Sequence, residues 1–568
     1  MTKLSRAAYA QLYGPTKGDM VRLADTSLLA EVEHDFTHHG DELTTGAGKV
    51  MRDGEGFDQG GTYAAGALDM VVQNATIIDA VIGIVKADIG IRDGRIVGVG
   101  KAGNPSIMNG VDPRLRCGPN TTVVHGDGFI VTAGVIEAHA HFLSPQQAWH
   151  ALAGGTTTMV GMSLGPHFDV SCSGPNMLGK LIQGADEFPL NFGFLGRGCG
   201  SVAAVEESVA GGALGVKIHE DFGASPGVME GSLTAADRND FSVHIHTDTI
   251  NEFGFCEDTM AVIGDRTIHM YHTEGSGGGH APDLLRVNGY ANVLPSSTNP
   301  TNPFTPAGLE EGLPMTMLAH FLSFSIPEDI AFAEARVRPQ TMSAEDLLHD
   351  MGAISIFATD TQGMGRLAEN AAKCWQLASV MKDRIGRLPE ETTARADNER
   401  IKRYIAKLTI NPAIAAGIDQ HVGSIEPGKM ADLVIWPRAS FGIKPFLVIK
   451  GGFVAWSVMG DGNGSIFITE PMIQRPMWGA LGKARNALSA VFVSQLAMQS
   501  GARERLGTEK PWLPITSVRK LRKTDMVRNS AMPHITVDTQ THQVFADGKR
   551  LWAEPVSKVP LARKYMLR

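Results

Sequence analysis

The sequence predicts an α/β protein: a (β/α)8 TIM-type barrel with a flanking composite β-domain. Two patterns predict it. Between about residues 132 and 421, short apolar strand-like runs alternate with helical periodicity, as βα units of a parallel sheet do. Those roughly 290 residues suit one barrel, which typically takes about 250. Strand-rich, turn-punctuated stretches lie on both sides of this region and would build one β-domain from distant parts of the chain.

Leu68–Asp79 is strand-like, and Ala87–Gly100 continues it as a hairpin that turns at Asp93-Gly94. Phe129–Ile136 is an apolar or small run leading into Glu137-Ala138-His139-Ala140-His141, so one buried strand would carry both histidines at its end. Val243–Asp248, Arg266–Gly275 and Ile354–Asp360 are further strand-like runs that carry histidines or end in a carboxylate. Gly423–Trp436 and Val448–Val454 return to a strand pattern. The expected organisation is a composite β-domain from 1–131 and 422–477, a barrel over 132–421, and a mixed C-terminal segment over 478–568.

At 568 residues the chain can bury a large core in two or three domains. A net charge of −9 argues against nucleic acid as a partner. Cys117, Cys172, Cys199, Cys256 and Cys374 are scattered with no Cys-x-x-Cys, which reads as reduced thiols in a cytoplasmic protein. Met1–Arg6 lacks the apolar core of a signal peptide, and no apolar run reaches membrane-spanning length. The expectation is a cytoplasmic protein with no membrane association.

Side chains alternate along a strand, so His139 and His141 would face the same way. At the C-terminal end of a barrel strand, that is the catalytic face. Lys217, in Lys217-Ile218-His219-Glu220-Asp221, adds a second chemistry. An uncharged lysine takes up CO2, and the resulting carbamate is an anionic oxygen ligand able to bridge two metal ions. A lone His-x-His is more often a chance pair, and a lysine is usually a solvated surface charge. With His246, His272 and Asp360 also at strand ends, the set of four histidines, one lysine and one aspartate points to a two-metal hydrolase.

The chain closely resembles the large catalytic (alpha) subunits of ureases, within the amidohydrolase superfamily. The resemblance runs nearly end to end. It is carried by Tyr13–Leu23, Lys217–Asp221, His272–Asp283, Pro295–Thr301 and Lys402–Lys407 ahead of Asn411-Pro412. It implies hydrolysis of urea to ammonia and carbamate, with His139, His141 and Asp360 binding one nickel ion and His246 and His272 the other. Lys217, as N6-carboxylysine, would bridge them. His219, Gly277 and Gly363 would contact the substrate. His320, on a mobile helical flap near 311–340, would act as acid/base, held by Asp221 and Arg336. Smaller beta- and gamma-type subunits in a trimer of heterotrimers, and accessory metallation proteins, would be the partners.

Such a ligand set meets a chemical need. Urea has a poor electrophilic carbon and a poor leaving group, which paired divalent ions and a titratable imidazole address. Nickel is what the resemblance implies; imidazole and carboxylate also suit iron, zinc or manganese. The chain departs from the family pattern at Glu137, Ala140, Ala319, Phe321 and Gly363, and the loop after Gly165-Pro166 looks shorter. These departures keep two alternatives open: an amidohydrolase acting on another urea-like or cyclic amide substrate, and a non-catalytic subunit of a urease-like assembly.

Overall fold

The computed structural model describes residues 3–45, 54–163, 174–219, 223–247, 255–276, 283–466 and 468–562. Eight parallel strands form its centre: β1 (Val135–Phe142), β2 (Thr156–Ser163), β3 (Asn191–Arg197), β4 (Gly215–Ile218), β5 (Ser242–His246), β6 (Ile268–Tyr271), β7 (Val293–Thr298) and β8 (Ile356–Ala358). They pair in sequence order from β1 to β8. The ends meet through a parallel bridge between Ala140 and Thr361, where the His141 N–H donates to the Thr361 carbonyl at 3.1 Å. A nearly closed (β/α)8 barrel results, as the sequence predicts.

The strand carrying the histidine pair is shorter than the apolar run suggests. Phe129–Ala133 belongs to the flanking sheet, antiparallel to Leu433–Pro437, and the barrel strand starts afresh at Val135. The break falls at Gly134, where a Cβ would lie 2.0 Å from Thr157 Oγ1. The chain therefore changes sheets at the one residue with no side chain to place.

The flanking sheet draws strands from both sides of the barrel. Met70–Asp79, Gly83–Arg92 and Arg95–Gly100 form consecutive antiparallel pairs. The last turn is Asp93-Gly94, with φ of 53° and 73°, the left-handed pair that a two-residue hairpin requires. Asp432 ties this sheet to the barrel: its carboxylate accepts from Lys450 Nζ at 2.5 Å and from Asn191 Nδ2, on β3, at 2.7 Å. The C-terminal segment is not a separate layer. Val491–Val493 runs parallel beside Phe192-Gly193 of β3, and Trp512–Pro514 pairs with it in turn.

After β7 come three helices, α1 (Pro306–Ala319), α2 (Pro327–Glu334) and α3 (Pro339–Met351), each opening with proline in its first turn. Thr305 caps α1 by accepting from the Gly308 N–H at 3.0 Å. The helix stops at His320, and Phe321 turns out of it with a left-handed φ of 56°. Asp350, near the end of α3, grips Arg400 of the helix Asn398–Leu408 through two hydrogen bonds of 2.8 and 2.9 Å, both residues buried. Among the described residues, no helix is long and apolar enough to cross a membrane.

Removing one side of that ion pair leaves the other charge buried. Asp350→Ala should therefore destabilise the protein by about 3–5 kcal/mol, read as a lowered denaturant midpoint, with the secondary structure of the surviving folded protein unchanged.

Candidate metal centre

Five barrel strands deliver polar groups to the C-terminal end. His139 and His141 alternate along β1, Lys217 is next to last in β4, His246 ends β5, His272 follows β6, and Asp360 follows β8 by two residues. All six are buried. His272 and Asp360 have left-handed φ values of 52° and 59°, so each turns inward just as its strand ends.

Asp360 is the hub. Its Oδ1 lies 2.9 Å from His141 Nε2 and 3.3 Å from His139 Nε2, and its Oδ2 lies 3.5 Å from His272 Nε2. Lys217 Nζ sits 3.0 Å from His139 Nε2 and 3.4 Å from His141 Nε2. Two sets of candidate ligand atoms each fall within 4.8 Å: His139, His246 and His272, and His139, His141 and Asp360. The second contains the three residues that the sequence resemblance assigns to one ion. In the first, His139 joins the pair assigned to the other.

These residues fit a bound cation. His272 Nε2 and Asp360 Oδ1 are buried and point into the cluster, against the atoms of other candidate ligands. The other nitrogen of His272 is occupied: Ser276 Oγ and Thr298 Oγ1 each lie 3.3 Å from Nδ1, and Glu274 Oε1 lies 3.5 Å away. Such outer contacts fix the ring and leave Nε2 as the inward donor. Burial alone would raise the Asp360 carboxyl, but the imidazoles of His139, His141 and His272 hold it well below the usual carboxylate range. Burial opposes a charge on His272, yet Asp360 and Glu274 push that ring up to about 10, so a cation competes with a proton there.

The loop that carries Asp360 has little freedom. Its Oδ2 accepts from the Met364 N–H at 3.0 Å, and Gln362 Oε1 accepts from the N–H groups of Leu143 and Ser144 at 2.9 and 2.7 Å. A Cβ on Gly365 would lie 1.8 Å from the Thr359 carbonyl oxygen. At Gly363 a Cβ would lie 2.6 Å from Asp360 Oδ1, so the carboxylate uses space that any larger residue would fill. Glu137 clamps the seam between β1 and the β8 loop. Its Oε1 accepts from the His139 N–H at 2.8 Å and the Thr359 N–H at 3.1 Å, while burial pushes its carboxyl up to about 8.

The other expected residues divide. His219 follows β4, and its ring stacks on His246 at 4.3 Å between centroids. His320 ends α1, half-buried, with Nε2 3.4 Å from the NH1 of the buried Arg336. Ala319 precedes it, and Phe321 is exposed. Asp221 and Gly277 lie outside the described residues. Sequence reasoning assigned no role to His244, Tyr271, Glu274 or Thr298, which support the cluster from behind. The signal was present for two of them: alternation in Val243-His244-Ile245-His246 and Ile268-His269-Met270-Tyr271 places pairs of polar side chains on one strand face.

A parallel barrel with imidazoles, a lysine and a carboxylate converging at its C-terminal mouth defines a metal-dependent hydrolase of the amidohydrolase class. The family model described as "Amidohydrolase family" matches residues 130–466, and "Urease alpha-subunit, N-terminal domain" matches residues 2–124. "Urease subunit alpha" of Natronomonas pharaonis is 51% identical over 570 residues, covering 100% of both chains. The chain belongs to the urease alpha-subunit family. Similar solved structures are more distant. A D-hydantoinase (dihydropyrimidinase) from Thermus sp. is 16% identical, with a TM-score of 0.48 over 71% of this chain and 99% of its own. A dihydropyrimidinase from Brevibacillus agri is 13% identical, with a TM-score of 0.44 over 68% and 94%.

Gly365→Ala tests the loop. The added methyl must push the Thr359 carbonyl aside and displace Asp360. Affinity for divalent metal should fall about tenfold or more by equilibrium dialysis, with the far-ultraviolet circular dichroism unchanged.

Proposed function

We propose that this chain is the catalytic subunit of a urease, hydrolysing urea to ammonia and carbamate at two nickel ions. The observation that carries this reading is the convergence of His139, His141, Lys217, His246, His272 and Asp360 at one barrel mouth, in a chain of the urease alpha-subunit family. Paired divalent ions supply Lewis acidity towards a carbonyl oxygen and towards water. The protein's own groups do the rest.

Lys217 acts as its carbamate. Its Nζ lies among imidazoles in a fully buried pocket, surroundings that disfavour an ammonium. The neutral amine would bond to the carbon of CO2 and release a proton to solvent, which would turn a poor ligand into an anionic oxygen donor for the metal ions. His219, braced by its stack on His246, donates an N–H to the urea carbonyl oxygen. Gly363, packed against Asp360, borders the space for the substrate, and Gly277 is the other substrate-contacting residue in this reading.

His320 handles the proton on the departing nitrogen, the half of the reaction that Lewis acidity does not serve. Arg336 can only donate, so His320 Nε2 accepts from it and Nδ1 carries the ring proton. Asp221 completes the support of that ring. The helices α1 and α2 form a flap that opens for exchange and closes over urea. Smaller beta- and gamma-type subunits complete the assembly, accessory proteins load the metal, and the sparse cysteines suit a cytoplasmic setting.

Purified with its partner subunits and metallation proteins, the protein should carry about two divalent ions per chain and release ammonia from urea. Elemental analysis that finds no metal, under conditions that load another urease, refutes the reading. Lys217→Ala should lose both metal and activity, and small carboxylic acids should partly restore both by standing in for the carbamate. Full metal content and normal turnover in that variant would remove Lys217 from the site.

His320→Ala should lower kcat by about a hundredfold or more while leaving the metal content unchanged, because the residue handles a proton and binds no ion. Steady-state kinetics paired with elemental analysis separates the two effects.

A further inference from the structure

Behind the metal centre, the barrel interior is not filled by aliphatic side chains alone. Ser242, His244 and Tyr271 are buried there and joined in series. Ser242 Oγ lies 2.9 Å from His244 Nε2, His244 Nδ1 lies 2.7 Å from the Tyr271 hydroxyl, and that hydroxyl donates to the Ala138 carbonyl at 2.9 Å. The direction of the chain follows from counting protons. A backbone carbonyl can only accept, so the single phenol proton goes to Ala138. The Tyr271 oxygen must then accept from His244, which places a proton on Nδ1 whatever the charge of the ring.

The end of this chain matters because of what it touches. The Ala138 carbonyl and the His139 N–H belong to the same peptide group. Glu137 Oε1 holds its N–H at 2.8 Å and Tyr271 holds its carbonyl at 2.9 Å, so the plane is pinned at both ends. The Tyr271 ring also stacks on the His139 imidazole, with centroids 3.8 Å apart and planes 8° from parallel. His139 occurs in both candidate ligand sets, so its orientation is shared by the whole centre.

We propose that Ser242, His244 and Tyr271 form a directional hydrogen-bond relay that positions His139, with His244 and Tyr271 acting as a coupled pair. This rests on the metal-centre reading above and extends it to residues that touch neither metal nor substrate. Tyr271 sets the His139 ring through stacking and its peptide through the hydroxyl. His244 keeps that hydroxyl aimed at Ala138 by occupying its acceptor side. Ser242 holds the His244 ring in place.

The pairing makes a specific claim about double variants. Tyr271→Phe keeps the stacked ring but deprives His244 Nδ1 of its acceptor and frees the Ala138 carbonyl. Replacing both partners by apolar groups of similar shape, Tyr271→Phe with His244→Leu, removes the stranded donor as well.

Nickel binding to the metal-free, full-length protein, measured by equilibrium dialysis, should weaken about 10- to 100-fold in Tyr271→Phe. The double variant should bind nickel more tightly than Tyr271→Phe alone, and the thermal midpoint of the metal-free single variant should fall only by the few degrees that one stranded buried donor costs. A Tyr271→Phe affinity equal to wild type overturns the relay. So does a double variant whose loss equals or exceeds the sum of the two single losses, and that comparison stands even if Tyr271→Phe folds poorly. Wild-type protein that binds no nickel refutes the metal-centre reading itself, which is a different failure from a relay that does not couple.

Discussion

The buried carboxylate of Asp360 touches three imidazoles at the barrel mouth, and the rest of the structure is arranged so that this contact is possible. Its partners come from β1 and from the turn after β6, so the strands must end at one height around a closed ring. Burial in that low-dielectric site disfavours a charge on Asp360, but the neighbouring imidazoles favour the carboxylate and keep it deprotonated. The arrangement also needs two residues in left-handed backbone, Asp360 and His272, a conformation that persists only where the surroundings determine it. Gln362 bonding across to Leu143 and Ser144, and Glu137 bonding to both His139 and Thr359, are those surroundings.

A ring of candidate metal ligands must also be held from behind. Glu274, Ser276 and Thr298 gather about the outer nitrogen of His272, and Tyr271 lies flat against His139. Burial keeps His244 well below its ordinary range and brings His269 down to about 3, so these interior histidines act as neutral hydrogen-bonding groups. The polar set continues outward: Ser297 Oγ meets His349 Nε2 of α3 at 2.5 Å, and Asn302 bonds Glu345 on the same helix. Helix α3 thus ties the segment whose turns carry His320 and Arg336 to the strand that precedes it. Buried polar networks of this kind favour one arrangement because a misplaced member leaves a donor or acceptor unpaired.

Much of this was legible in the chain. His139 and His141 are two residues apart on a strand, and strand geometry alone puts them on one face. The alternation of strands and helices over about 132–421 predicts the barrel, and Asp93-Gly94 predicts its hairpin turn, because both are patterns of neighbours in sequence. Phe129–Ile136 shows where local pattern stops. It reads as one apolar strand but is divided between two sheets at Gly134, since the reason for the break, the side chain of Thr157, comes from elsewhere in the chain.

By itself, the sequence determined which chemical groups this protein has to offer and the order in which strands present them: histidine pairs, a lysine, a terminal aspartate and the family pattern that links them. Only the tertiary structure decided which of them meet. Asp360 lies more than 200 residues beyond His141 in sequence, and their 2.9 Å contact exists because the barrel closes between β8 and β1. Tyr271 reads as one more aromatic residue in a strand until closure sets its ring on His139 and its hydroxyl on Ala138. Periodicity fixes the face on which a side chain emerges, but what lies opposite that face is set by strands hundreds of residues away.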